Sequence, residues 1–112
     1  MDGMYVPNRG DVVWMEFDPC VGHEQRGHRP ALVLSTQEFN SKTHFAVVCP
    51  ITNQVKGYPF EVAIPKGFDV KGVFLTDQVR SLDWQARKAS FVCRLPHEVV
   101  ERVLAYVEAI FS

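Results

Sequence analysis

The sequence predicts a mainly β (α+β) fold, a small barrel of about six to seven strands with short helices and a C-terminal amphipathic helix. Three observations point there. Short runs of β-branched and aromatic residues, each bounded by Gly, Pro or Asp, recur from Gly10 to Cys93. From Val99 onward the apolar spacing changes to that of a helix. A chain of 112 residues can bury one compact core and has no room for a second, so residues 1–112 are read as a single domain.

The elements follow in order. Gly10 to Phe17 (Gly-Asp-Val-Val-Trp-Met-Glu-Phe) is a strand ended by Asp18-Pro19. Cys20 to His28 is a polar loop. Pro30 to Ser35 is a second strand, with Pro30 at its first residue because proline cannot donate to a ladder. Thr36 to Thr43 reads as a short helical turn opened by Ser35 or Thr36 as cap. His44 to Pro50 is a third strand, followed by a bend to Gly57. Phe60 to Ile64, Gly72 to Val79 and Ala89 to Cys93 are the fourth, fifth and sixth. Val99, Val100, Val103, Leu104, Val107, Ile110 and Phe111 then form one stripe of a helix of about four turns. Pro96 and Glu98 suit its first turn, and the stripe is expected to pack on the barrel.

Composition narrows the function classes. A net charge of −1 argues against a generally basic nucleic-acid coat, yet a site for one phosphate needs only a local cation cluster. Three cysteines, Cys20, Cys49 and Cys93, make an odd count without Cys-x-x-Cys spacing. They suggest free thiols in a reducing cytosol rather than a disulfide framework or a zinc site. The N-terminus lacks the basic and apolar regions of a signal peptide, and no apolar run reaches membrane-spanning length, so a cytoplasmic protein is expected.

The chemistry is concentrated in Gly22-His23-Glu24-Gln25-Arg26-Gly27-His28-Arg29-Pro30, which packs two histidines, a carboxylate, an amide and two arginines between hydrophobic strands. Pro30 pushes Arg29 into extended geometry, so its guanidinium projects from a defined strand start and can hold a phosphate bidentately. The competing reading is a solvated arginine paired with Glu24 or Asp77. His23 and His28 titrate near neutral pH and could serve as acid or base, whereas His-x4-His in a loop is a weak metal signal.

The run Gly22-His23-Glu24-Gln25-x-Gly27-His28-Arg29-Pro30-Ala31-Leu32-Val33-Leu34-Ser35 resembles the signature segment of the MazF/PemK family of toxins from type II toxin–antitoxin systems. Gly10 to Trp14 with Phe17-Asp18-Pro19 resembles the family's first strand. Pro50-Ile51-Thr52 with Lys56 to Phe60 resembles its central segment, and Asp77 to Ser81 its late strand. Four such segments in family order cover nearly the whole chain.

The resemblance implies an SH3-like barrel of the MazF, Kid and CcdB kind, a twofold homodimer, and inhibition by a labile antitoxin. It implies metal-independent, sequence-specific cleavage of single-stranded mRNA, with no cofactor, leaving a 2′,3′-cyclic phosphate and a 5′-hydroxyl and halting translation. It points to Arg29 and Thr52 as the catalytic pair. Arg29 would stabilise charge on the phosphate, since a guanidinium is effectively always protonated and makes a poor base. Thr52 would bond a phosphate oxygen, or else serve as a turn threonine bonding its own backbone. Glu24 in the same loop is the candidate base, with an orienting role toward Arg29 as its alternative and His28 as its substitute.

For substrate binding, Phe17 beside the loop is the expected stacking ring unless it is a core residue. Gln25, Asn40 and Gln78 are expected at base edges, with Lys56 and Arg80 on phosphates. Trp14 and Trp84 read as core or dimer packing, and Arg87 and Lys88 as a solvated pair as readily as phosphate contacts. The implied partners are single-stranded RNA and a MazE-like antitoxin whose acidic, disordered segment covers Arg29, Arg80 and Lys56, in a heterohexameric assembly. Two other classes remain: a CcdB-like toxin that binds a topoisomerase, and a nucleic-acid-binding barrel without catalysis. The loop from Glu24 to Arg29 together with Thr52 is what a pure binding toxin does not require, and RNA binding retained without cleavage would favour the second.

Overall fold

The computed structural model describes residues 4–18, 22–23 and 27–112. Among the described residues seven strands and two α-helices follow one another: β1 (Asp11–Glu16), β2 (His28–Val33), α1 (Gln37–Thr43), β3 (Phe45–Thr52), β4 (Glu61–Ala63), β5 (Val73–Leu75), β6 (Arg80–Asp83), β7 (Ser90–Arg94) and α2 (His97–Phe111). Pairing is antiparallel throughout. The sheet runs β4-β5-β3-β2-β1-β7, and β6 adds to the first half of β3. β3 is therefore shared, pairing β6 through Val48 and β5 from Ile51. Its two ends bend into different sheets, giving a barrel-like wall that stays open between β4 and β7 among the described residues.

Strand alternation sends side chains to two cores. On one face Val12, Leu32, Cys49, Ile51 and Phe74 lie under Val100 and Val103 of α2. On the other, Val13, Met15, Phe17, Ala31, Val33 and Val48 meet Leu82 and Trp84. The apolar stripe of α2 outruns the barrel: Val100 and Val103 are buried, whereas Phe111 is 83% exposed. Of the two expected caps, Ser35 and Thr36, it is Thr36 that caps α1, accepting from the Phe39 N–H. Among the described residues no helix is long and apolar enough to cross a membrane.

Two expectations need correction. β2 begins at His28, so Pro30 is its third residue. It sits opposite Trp14 of β1, one step before pairing with β3 starts at Ala31, so no ladder donor is lost. Pro50 is tolerated inside β3 for the same reason, between the last pair with β6 and the first with β5. Secondly, the strand expected over Gly72 to Val79 is interrupted by a 3-10 turn at Thr76–Gln78, and the chain then enters β6. The Thr76 hydroxyl and backbone N–H both donate to the Phe60 carbonyl, at 2.6 and 3.3 Å, anchoring the start of that turn beside β4.

Candidate active site

The site forms where β2 leaves the loop and β3 changes sheets. The β2–β3 ladder pairs Val33 with Val48, Leu32 with Cys49 and Ala31 with Pro50. That pairing stops at Ala31 and Pro50, and Arg29 and Thr52 each lie two residues further along their strands. Period-two alternation then puts both on one face, beyond the buried Ala31 and Pro50. Both side chains line a cavity of about 590 Å³, shared with Gly22, His23, Gln54, Lys56, Tyr58, Glu61, Leu75, Asp77 and Gln78. Arg29 is exposed at its rim. Arg29 and Thr52 also line a second depression of about 290 Å³ with Trp14, Pro30, Asn53, Asp69, Lys71 and others. The pair stands on the saddle between the two.

Each wall has a local cause. Thr52 Oγ1 accepts from the Gln54 N–H at 3.1 Å, so its hydroxyl proton is left to donate elsewhere. The turn-threonine reading is thus realised and is compatible with a role toward substrate. Glu61 accepts from the Lys56 and Gly57 amides at 3.2 and 2.9 Å. That carboxylate closes the 56–61 turn and holds Lys56 at the cavity edge. The 3-10 turn pinned by Thr76 delivers Asp77 and Gln78 to the opposite edge. At the root of the β1–β2 loop, Phe17 N–H donates to the Gly27 carbonyl at 2.9 Å and Gly27 N–H to Asp18 Oδ1 at 3.1 Å. Arg87 Nη1 spans the Glu16 and Asp18 carbonyls, both at 2.9 Å, so it clamps the loop root rather than forming a solvated pair with Lys88.

The family of PemK-like, MazF-like toxins of type II toxin–antitoxin systems matches residues 8–111. The endoribonuclease toxin MazF of Escherichia coli K12 is 44% identical over 112 residues, all of both chains. The chain belongs to the PemK-like, MazF-like toxin family. The endoribonuclease toxin ChpB of the same organism is 43% identical over 108 residues, 91% of each chain. Among solved structures, MazF from Deinococcus radiodurans matches with a TM-score of 0.92 at 44% identity, covering 96% of this chain and 98% of that one. A MazE–MazF complex from that organism matches at 0.85 and 39% identity, over 97% and 98%.

Within this MazF-like chain, the expected site residues separate. Arg29, Thr52, Lys56 and Gln78 share the larger cavity, and His23 joins them. Glu24 and Gln25 lie outside the described residues. Phe17 is fully buried with Met15 and Val48, so it is a core residue and offers no face to a base. Asn40 is also fully buried. Its Nδ2 donates to the Pro7 and Ser35 carbonyls at 2.8 and 3.2 Å, its Oδ1 accepts from the Ser35 hydroxyl, and its own carbonyl takes the Trp84 indole N–H at 2.9 Å. It ties the N-terminal segment and α1 to Trp84 and reads no base edge. Trp84 is the core residue expected. His28 is exposed but lines neither depression: its ring stacks on Trp14, with centroids 5.1 Å apart, and Nδ1 lies 3.6 Å from Glu16. Arg80, half-buried opposite Val48 on β6, is not among the lining residues either.

Glu61 and Tyr58 went unrecognised in the sequence because nothing local separates a cavity glutamate or tyrosine from a solvated one. Trp14, expected to pack, is 44% exposed. Burial pushes the Cys49 thiol up, with the Asp77 charge adding to it, and burial raises Cys93 as well. Neither has the thiolate character of a nucleophile.

Proposed function

We propose that this chain is a toxin that cuts single-stranded RNA without a metal ion, leaving a 2′,3′-cyclic phosphate and a 5′-hydroxyl. The supporting observation is that Arg29 and Thr52, 23 positions apart in the chain, line one open cavity together with Lys56 and Gln78. In this reading the 2′-oxygen attacks the adjacent phosphorus as a base removes its proton. The bond to the 5′-oxygen then breaks, and that oxygen takes up a proton. The Arg29 guanidinium faces the negative charge that builds on the phosphoryl oxygens, where preorganised charge contributes most. The Thr52 hydroxyl, held by the Gln54 amide, donates to one of those oxygens. Lys56 holds a neighbouring phosphate and Gln78 a base edge.

Glu24 remains the base proposed from the loop sequence. Asp77 is its rival, because it lines the cavity while the other carboxylate there, Glu61, is engaged by two backbone amides. The MazE–MazF complex supports neutralisation by an antitoxin, and in this reading the toxin is a homodimer acting in the cytoplasm. The antitoxin's acidic, disordered segment would cover Arg29 and Lys56 in a heterohexameric assembly, and residues 1–112 would act as one domain.

The test is cleavage of a mixed-sequence RNA in excess EDTA, with the ends mapped by primer extension. Wild type should cut, and Arg29→Ala should lose at least about a hundredfold in rate, as losing one oxyanion donor does, while its circular dichroism is unchanged. Cutting abolished by EDTA and restored by a divalent ion overturns the metal-free mechanism. An unaltered rate in Arg29→Ala removes the assignment of the guanidinium.

A further inference from the structure

We propose that the smaller depression, between Trp14 and Lys71, seats the nucleotide on the opposite side of the cleaved bond from the nucleotides in the larger cavity. This rests on the RNA-cutting reading above. A cut inside a strand leaves chain running both ways from the reacting phosphate, and both stretches must be accommodated. Arg29 and Thr52 border two depressions, so the strand can pass over the saddle and descend on each side. The second depression, about 290 Å³, falls just below the range for small-ligand pockets, about 300–1,000 Å³.

Its walls have the composition that single-stranded nucleic acid prefers: an aromatic face, a cation and polar groups for base edges. Trp14 is almost half exposed on β1, and its indole is braced by the His28 ring at an interplanar angle of 27°. His28 does not line the depression and Trp14 does, so the indole meets it with surface that His28 leaves open. Lys71 is an exposed cation in the same wall, and Asn53 and Asp69 supply donors and acceptors. The wall is held at close range by Gly72. A Cβ built there would lie 2.1 Å from the Thr52 carbonyl oxygen and 2.7 Å from Asn53 Cα, so the 69–72 segment rests directly on the strand that carries Thr52.

The test uses two sets of synthetic RNAs sharing one mapped cut site, one lengthened stepwise on the 5′ side and the other on the 3′ side. For wild type, kcat/KM should rise roughly tenfold with the first nucleotide added on each side, the scale of one stacked base. Trp14→Ala and Lys71→Ala should each lose that gain on one and the same side and keep it on the other, and Trp14→Phe should restore most of it. Lys71 is exposed, so its variant tests the proposal even if Trp14→Ala fails to fold. Wild-type length dependence in both sets overturns the proposal. So does a Trp14→Ala protein whose subunit association weakens in sedimentation while its length dependence stays intact, because a second copy of the chain would then own the depression. A folded wild type that cuts no RNA in either set strikes down the ribonuclease reading and this proposal with it.

Discussion

Replacing Gly72 by alanine tests how the fold holds Thr52. The residue has φ +107°, a region L side chains rarely enter, and its carbonyl accepts the Ile64 N–H at 2.9 Å. An added methyl would sit 2.1 Å from the Thr52 carbonyl oxygen and 2.8 Å from the Thr52 carbonyl carbon. Unbonded carbons prefer about 3.5–4.0 Å, so the main chain at residues 52–53 must retreat by roughly 1 Å. The clashing atoms are backbone and cannot rotate away. Left-handed strain of about 1–2 kcal/mol and overpacking of about 1–3 kcal/mol together give about 2–5 kcal/mol. For a domain of this size that lowers Tm by roughly 10–25 °C. In the fraction still folded, a 1 Å shift of Thr52 should cost about a hundredfold in kcat. Thermal melting by circular dichroism and single-turnover cutting of a labelled RNA measure the two effects. Gly72→Asn separates their causes, since asparagine tolerates positive φ but carries the same Cβ. If Gly72→Ala melts within two or so degrees of wild type and cuts at the same rate, the reasoning is wrong. If Gly72→Asn alone recovers activity, strain matters and the contact does not.

Four further outcomes are expected. The Tyr5 hydroxyl donates to Asp11 at 2.6 Å, and burial and that carboxylate push its pKa above the ordinary value near 10. The folded state therefore holds this proton more tightly than the unfolded chain. The stability it contributes is complete below about pH 10 and falls as pH rises further, so melting against pH should drop there in wild type and drop less in Tyr5→Phe. Asn40→Ala strands the Pro7 and Ser35 carbonyls in a buried site and should cost about 2–4 kcal/mol, read by urea denaturation, while the folded protein still cuts RNA; lost cutting at full stability would return Asn40 to the substrate. Phe17→Ala should destabilise by about 3–5 kcal/mol as a core deletion, and a folded variant of wild-type stability with weakened RNA binding would contradict its burial. Lys56→Ala should weaken RNA binding and lower the slope of log K against log salt by about 0.7, one phosphate contact on a single strand; an unchanged slope would place Lys56 off the strand.

What the sequence determined by itself was everything set by near neighbours along the chain. β-branched and aromatic runs bounded by turn residues marked β1, β2 and β3, a cap at Ser35 or Thr36 announced α1, and helical spacing after Pro96 announced α2. The ordered segments around Arg29, Thr52 and Asp77 carried the family likeness. Alternation alone, though, cannot say which side of a strand will be covered, and so Phe17, read as a stacking ring, lies in the core instead. The covering groups, Leu82 and Trp84, come from β6 and the turn after it, more than 60 positions downstream. Tertiary structure alone decided that Arg29 and Thr52 line one cavity, because that depends on how β2 and β3 pair and on the bend where β3 changes partner. It also decided that Asn40 is a strut, that a 3-10 turn at Thr76–Gln78 brings Asp77 and Gln78 to the cavity, and that a second depression opens beside the first. Those outcomes follow from pairing and packing between distant segments, which local pattern does not encode.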